Sequence, residues 1–309
     1  MVNVAKPIVV IGSSNIDFIM KMDRLPRKGE TITNASFMQT FGGKGANQAV
    51  GAARAGGEVY FINCVGDDRF GLLIIENLQR LGVHTEYMVQ QSGIASGSAL
   101  VMIDANGDNY LSVAPGANYC LTPQHLQERS EIIEKAEMVM LQYEVTPEIL
   151  YSAIDLCNSL GKPILFNFAP ARPFASAYLR KVDLLVVNEI EAEFLCGFPL
   201  HSEEDFEKGK AALLNLGPKT VVITLGSKGA LAASPGLSLH VPAFPVQVVD
   251  TTAAGDVFCG ALAVGLVEGK NLEESLRFAN VAAAISVTRL GAQPSAPGRE
   301  EIEALMKYS

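Results

Sequence analysis

The chain has 309 residues, 49% of them apolar, with abundant Gly and Ala and no Trp, and 24 Lys and Arg against 33 Asp and Glu give a net charge of −9. That length holds one large α/β domain or two average ones, each with a deep core, and the composition excludes a disordered chain. The negative balance argues against a nucleic-acid surface but not against a small anionic ligand, because backbone dipoles and a single Lys outvote net charge at short range.

Apolar, β-rich runs predict strands at 8–11, 59–65, 138–141, 164–167, 184–187 and 221–224. Helix-period segments fall between most of them, at 46–55, 70–81, 147–160, 189–196 and 203–216. Strands apolar throughout, alternating with amphipathic helices, predict an α/β fold: a mostly parallel central sheet flanked by helices on both faces. Right-handed crossovers then put a ligand beyond the C-terminal strand ends. Two stretches break the rhythm. Segments 17–41 and 96–115 alternate like strands around turn signals such as Asp104-Ala-Asn-Gly107. They predict a small antiparallel β lid, too thin to stand alone, lying over the strand ends or pairing with another chain. After Pro245 helices are expected at 254–268, 272–288 and 299–307. No internal repeat or interdomain linker is visible, so one domain over 1–309 is expected, with a discontinuous lid from about 15–41 and 96–115.

Cys64, Cys120, Cys157, Cys196 and Cys259 are odd in number and show no C-x-x-C spacing. A reducing compartment without disulfides or a zinc site is expected. The N-terminal MVNVAKPIVVIG is short and strand-like for a signal peptide, and no apolar run approaches the ~18 residues of a membrane span. A cytoplasmic protein is expected.

Five short stretches carry polar chemistry. In Asp250-Thr-Thr-Ala-Ala-Gly-Asp-Val-Phe258, Ala-Ala-Gly opens a helix whose free first-turn N–H groups form an anion hole. Asp256 stands beside it, placed to orient a hydroxyl and take its proton. Phe41-Gly-Gly-Lys-Gly-Ala-Asn-Gln48 lets backbone approach a ligand and adds the Lys44 charge. Asn15 and Asp17, two apart in Gly12-Ser-Ser-Asn-Ile-Asp17, share a face if extended and suit a polyhydroxy ligand. Asn188 and Glu191 open a helix three apart. Thr224-Leu-Gly-Ser-Lys-Gly229 leaves a strand through a Gly-rich turn. Each piece alone also reads as ordinary structure: a first-turn acid, a tight turn, a helix start, a hairpin. No Walker A or G-x-G-x-x-G motif is present.

Taken in order, GGKGANQ, NEIE, TLGSKG and DTTAAGD resemble the ribokinase-like (phosphofructokinase-B) family of carbohydrate kinases. GSSNID at 12–17, QYE at 142–144 and TRLGAQPS at 288–295 extend the resemblance over nearly the whole chain. It implies that Asp256 is the catalytic base, with Ala253, Ala254 and Gly255 as anion hole and Lys44 stabilising charge. It implies that Asn15, Asp17, Gly43, Lys44, Asn47, Glu144 and Asp256 hold the sugar, with Ala99 and Val113 touching it from the lid. ATP would meet Asn188, Thr224, Leu225, Gly226, Ser227, Lys228, Gly229, Gly255 and Asn280. Glu191 would hold Mg2+ through water, and K+ would lie by Asp250, Thr252, Ser286, Arg289, Gly291 and Ser295, partly through backbone carbonyls.

Two departures stand out. Many relatives have Gly where this chain has Ala253, which suits an ordinary backbone region only. Tyr143 is bulky beside Glu144 and is expected to point into the core. The implied activity is phosphorylation of the 5-hydroxyl of D-ribose by ATP. Deoxyribose, fructose, a sugar phosphate or a nucleoside are alternative substrates, and a non-catalytic sugar-binding regulator is a further reading. The lid's open edges and face predict a homodimer.

Overall fold

The strand Pro7–Ile11 shows how the main sheet is built. Successive strand residues point to opposite faces, and here both faces are apolar. Ile8 and Val10 join one buried cluster, whereas Val9 and Ile11 join the other. A computed structural model of the chain describes residues 6–307 and gives this sheet nine strands. The expectation drawn from the N-terminal segment rests partly on residues 1–5, outside that range.

From edge to edge the strands are Leu237–Val241, Ala230–Ser234, Thr220–Thr224, Leu184–Asn188, Ile164–Asn167, Met138–Gln142, Pro7–Ile11, Glu58–Ile62 and Val83–His84. The pairings within the Thr220–Val241 stretch are antiparallel and the rest are parallel. The predicted run at 59–65 divides at Asn63. Glu58–Ile62 stays in the main sheet, and Cys64–Gly66 pairs with Val89–Gln91 instead. From Pro7–Ile11 the chain first builds toward one edge, then returns to lay Met138–Gln142 on the other side. The crevice beyond those two strand ends is a topological switch point, where open α/β sheets bind ligands.

Helices Lys44–Arg54, Arg69–Arg80, Ala254–Val267, Leu272–Ser286 and Arg299–Met306 cover one face, and Pro147–Ser159, Glu189–Cys196 and Glu203–Asn215 the other. Beyond Asp256 in its first turn, Ala254–Val267 is apolar all round, as a helix packed on several sides must be. It crosses Lys44–Arg54 with backbones nearly touching. A Cβ on Gly260 would lie 2.5 Å from the Ala52 nitrogen, so only glycine fits there. No helix among the described residues is long and apolar enough to cross a membrane.

The expected lid is present as a second sheet, ordered Ser36–Gly42, Asn15–Lys21, Ser98–Ile103, Asn109–Ala114. Its outer pairings are antiparallel, but the central one, between Asn15–Lys21 and Ser98–Ile103, is parallel. Both central strands start at the crevice and run outward, which the alternation pattern alone does not reveal. Phe37, Leu111 and Val113 stay exposed on the lid.

Candidate active site

Gly12-Ser13-Ser14-Asn15 leads out of Pro7–Ile11 into the crevice. Ser13 Oγ donates to Glu144 Oε2 at 2.5 Å, and the same oxygen accepts the Lys44 N–H at 2.9 Å. A carboxylate thus meets the electropositive start of helix Lys44–Arg54. Gly43, its cap at φ 88°, supplies no side chain to do so. Asn15 and Asp17 share a face of the lid strand, as the alternation predicts. Register puts Asp17 opposite Ala99, and Ala99 opposite Val113. Asp17 Oδ1 and Asn47 Oδ1 are buried without a protein hydrogen bond. Buried acceptors of that kind suit a ligand rich in hydroxyls. Burial, and then the neighbouring Glu144, push the Asp17 carboxyl up to about 6. Tyr143 turns away as expected: its hydroxyl donates to the Pro173 carbonyl at 2.9 Å and its ring packs on Phe168 and Phe174.

Asp256 lies in the first turn of Ala254–Val267 and is buried. The close helix crossing brings two amides onto its carboxylate, Asn47 Nδ2 to Oδ2 and Gln48 Nε2 to Oδ1, each at 3.1 Å. Gln48 Oε1 in turn accepts from Gln142 Nε2 at 2.7 Å, and Gln48 Nε2 also reaches Asn167 Oδ1 at 3.2 Å. Burial raises the Asp256 carboxyl, while Lys44 and the two amides oppose that rise. Asp256 in return holds the Lys44 ammonium above its ordinary value. Ala253, the helix cap, corrects the expectation of an ordinary backbone: its φ is 58°, the one left-handed non-glycine residue among those described.

Two adjoining cavities meet at this helix start. One, of about 230 Å³, is lined by Lys44, Asn167, Asn188, Glu191, Thr224, Thr251, Ala253, Ala254, Gly255 and Asp256, among others. The other, of about 620 Å³, shares Thr224, Thr251, Ala254 and Gly255 and adds Gly226, Ser227, Gly229, Phe244, Val246, Val248 and Asn280. Leu225 and Lys228 line neither: Leu225 is buried in the core, and the Lys228 carbonyl meets the His240 ring at 2.9 Å. The turn is a hairpin and a cavity wall at once. Asn188 and Glu191 form a reciprocal capping box, each bond 2.8 Å long, so the helix-start reading and the cavity position coincide. Burial raises the Glu191 carboxyl. Asn280 Nδ2 donates to the Val241 and Pro242 carbonyls and so holds the wall of the larger cavity.

Asp250 ties the loop before the helix to the far segment. Its Oδ1 accepts from Thr252 N and Oγ1, and its Oδ2 from Gly291 N at 2.8 Å. Burial pulls this carboxyl upward, yet those bonds outweigh it and hold it below the usual range. The Ser286 and Ser295 hydroxyls donate to nearby carbonyls, and the Arg289 guanidinium pairs with Glu301. Among the described residues no group of three His, Cys, Asp or Glu side chains forms a metal cage.

Several residues of the site were not read from the sequence. Gln48, which orients Asp256, adjoins Asn47 in a quoted motif, and that adjacency is its signal. Asn167, Phe244, Val246 and Val248 line the cavities from scattered segments and stand in no motif, and Asn63 and Asn118 bond Ser14 and Asn15 from behind.

A model of the pfkB family carbohydrate kinases matches residues 5–299. The chain is 42% identical to a ribokinase of Bacillus subtilis over 97% of its own length and 99% of the relative's. It is 37% identical to a deoxyribokinase of Salmonella typhi, covering 98% and 99%. Its fold is similar to that of an Arabidopsis thaliana ribokinase complexed with ribose and ATP, with a TM-score of 0.94 and 37% identity, covering 99% of this chain and 100% of the other.

Proposed function

The chain belongs to the pfkB family of carbohydrate kinases, and on that premise we propose that it is an ATP-dependent ribokinase, converting D-ribose to ribose 5-phosphate. One observation carries the mechanism. The buried Asp256 carboxylate, oriented by Asn47 and Gln48, stands at a helix start where a polar crevice adjoins a larger cavity.

In this reading the ribose hydroxyls occupy the crevice at Asn15, Asp17, Gly43, Asn47 and Glu144, with Ala99 and Val113 above them. The triphosphate lies along Asn188, Thr224 and Gly255, and the base in the larger cavity near Phe244, Val246 and Asn280. The 5-oxygen attacks the γ-phosphorus in line, its proton passes to Asp256, and the bond to the β-phosphate oxygen breaks to release ADP. The Ala253–Gly255 amides and Lys44 face the charge on the transferring group.

Glu191 lines the smaller cavity with Lys44 and Asp256, and with no cage of metal-binding side chains among the described residues that setting suits a magnesium ion that keeps its waters. Glu191 would hold it through those waters, and when bound it neutralises phosphate charge. Asp250, kept ionised and joined to Thr252 and Gly291, offers oxygen chemistry for potassium. Ser286, Arg289, Gly291 and Ser295 would complete that site, Arg289 through its backbone. The exposed apolar lid supports a homodimer through it. Five free thiols and the need for ATP support a cytoplasmic setting.

The deoxyribokinase relative supports a second reading, 2-deoxyribose. Incubation with Mg-ATP and ribose, 2-deoxyribose, fructose or a nucleoside, followed by phosphorus–proton NMR of the products, decides between them. Phosphate on the ribose 5-oxygen, formed fastest of the set, is expected. Faster turnover of another acceptor replaces the substrate assignment.

A further inference from the structure

Asn118 belongs to none of the motifs, yet its buried side chain makes four hydrogen bonds, the full capacity of a primary amide. Its Oδ1 accepts from Ser14 N and Asn63 Nδ2, both at 2.9 Å. Its Nδ2 donates to the Ser14 carbonyl at 3.0 Å and to Asn15 Oδ1 at 2.9 Å. Two of these partners are backbone groups whose roles chemistry fixes. Oδ1 must face the Ser14 N–H and Nδ2 its C=O, so the Asn118 amide has one orientation. The remaining Nδ2 hydrogen meets Asn15, which must answer with its oxygen. Asn63 is fixed in the same way, because its Nδ2 donates to the Gly12 carbonyl at 2.7 Å while its Oδ1 accepts from Ser14 Oγ at 2.7 Å.

We propose that Asn118 is a positioning residue of the sugar site: it locks the Asn15 amide so that Asn15 meets the sugar as a hydrogen-bond donor. That setting complements Asp17 Oδ1 and Asn47 Oδ1, which are acceptors. A sugar hydroxyl donates to one of these and receives from Asn15. The lock also sits where the lid joins the body. Asn15 opens one lid strand, and Asn118 lies in the short 3-10 turn Gly116–Cys120 just after another. Gly97 precedes a third, and a Cβ there would lie 2.1 Å from Asn118 Nδ2 and 2.3 Å from Asn15 Oδ1. The lid stems therefore seat only around the locked amide. The proposal rests on the reading of Asn15 as a sugar ligand.

Asn118→Asp keeps an acceptor toward Ser14 N–H and Asn63 but presents oxygen to the Ser14 carbonyl, which loses its donor, and to Asn15, whose amide must then turn over. The ribose KM is expected to rise about tenfold or more, while kcat at saturating ribose and the KM for ATP stay within about threefold. In an Asn15→Ala background the same substitution should raise the ribose KM less than about twofold, since the group it acts through is gone. An equal rise in both backgrounds, or a joint change in kcat and both KM values, overturns the proposal. A second measurement needs no change at Asn118. Ribose analogues carrying fluorine or hydrogen in place of one hydroxyl at a time are compared for binding to the unaltered protein. At one position fluorine, an acceptor, should retain more affinity than hydrogen, and Asn15→Ala should erase the difference; no such position, or a difference that survives Asn15→Ala, overturns the proposal. If Asn15→Ala leaves the ribose KM unchanged, the ligand reading itself fails and the proposal falls with it.

Discussion

Ala253 and Asp17 are two residues whose settings cost stability. At φ 58° an alanine Cβ crowds the following carbonyl, costing about 1–2 kcal/mol. Glycine removes that crowding but gives about 0.4–1 kcal/mol back through a freer unfolded chain. Ala253→Gly is therefore expected to leave Tm unchanged or raise it by about 2–4 °C, with kcat within about threefold, in thermal melts and steady-state assays. A clear drop in Tm would mean that the cap is not strained. Asp17 is an acid whose folded pKa, about 6, lies above its ordinary 3.8. Its charge thus destabilises the fold fully above pH 6, less between 6 and 4, and not at all below. Asp17→Asn should raise Tm at pH 8 and change it little at pH 4. Ribose binding by the unaltered protein should weaken as pH falls through about 6, when the acceptor is protonated, whereas the variant should bind weakly at every pH. Direct calorimetry of both proteins separates this from the titration of Asp256, which the unaltered protein and the variant share. Binding that is flat from pH 5 to 8 would remove Asp17 from the sugar site.

At the scale of elements, two helix starts and one thin sheet make the site. Lys44–Arg54 and Ala254–Val267 cross where Gly51 and Gly260 permit it, and that crossing puts Asn47 and Gln48 on Asp256. The lid exposes Leu111 by 64% and Phe37 by 61%. If these meet a second copy, Leu111→Asp should convert a dimer to a monomer in light scattering, and a monomeric unaltered protein would contradict the pairing. Six of the nine strands of the main sheet were legible because each is apolar on both faces, as Pro7–Ile11 is; Val83–His84, Ala230–Ser234 and Leu237–Val241 were not, the first being two residues long and the last largely exposed. The parallel centre of the lid was not, since alternation fixes the faces of a strand and not the direction of its neighbour. The break at Asn63 was hidden in an apolar run, and its cause, a side chain drawn toward Ser14 and Gly12, exists only in the fold. Asp256, Lys44 and Asn188 were legible because each sits in a compact motif. Asn118 and Phe244 were not, because neither stands in a motif. The Ala253 expectation failed because alanine carries no sequence signal for a left-handed backbone, which glycine adopts far more readily.

Over the whole molecule, a mostly parallel sheet, a switch-point crevice and a lid converge on one carboxylate. The separate parts admit other readings, for a capping box or hairpin turn occurs in many proteins without catalysis. What they share is Asp256 and the proton transfer proposed for it. The most direct test is ADP release from Mg-ATP with ribose, in potassium buffer, by the unaltered protein and by Asp256→Asn, with ribose binding followed in parallel. Turnover by the unaltered protein is expected, with a loss in kcat of about 10²–10⁴ in the variant and ribose still bound. Undiminished turnover in the variant would contradict the role of Asp256, and bound ribose without turnover in the unaltered protein would contradict catalysis itself.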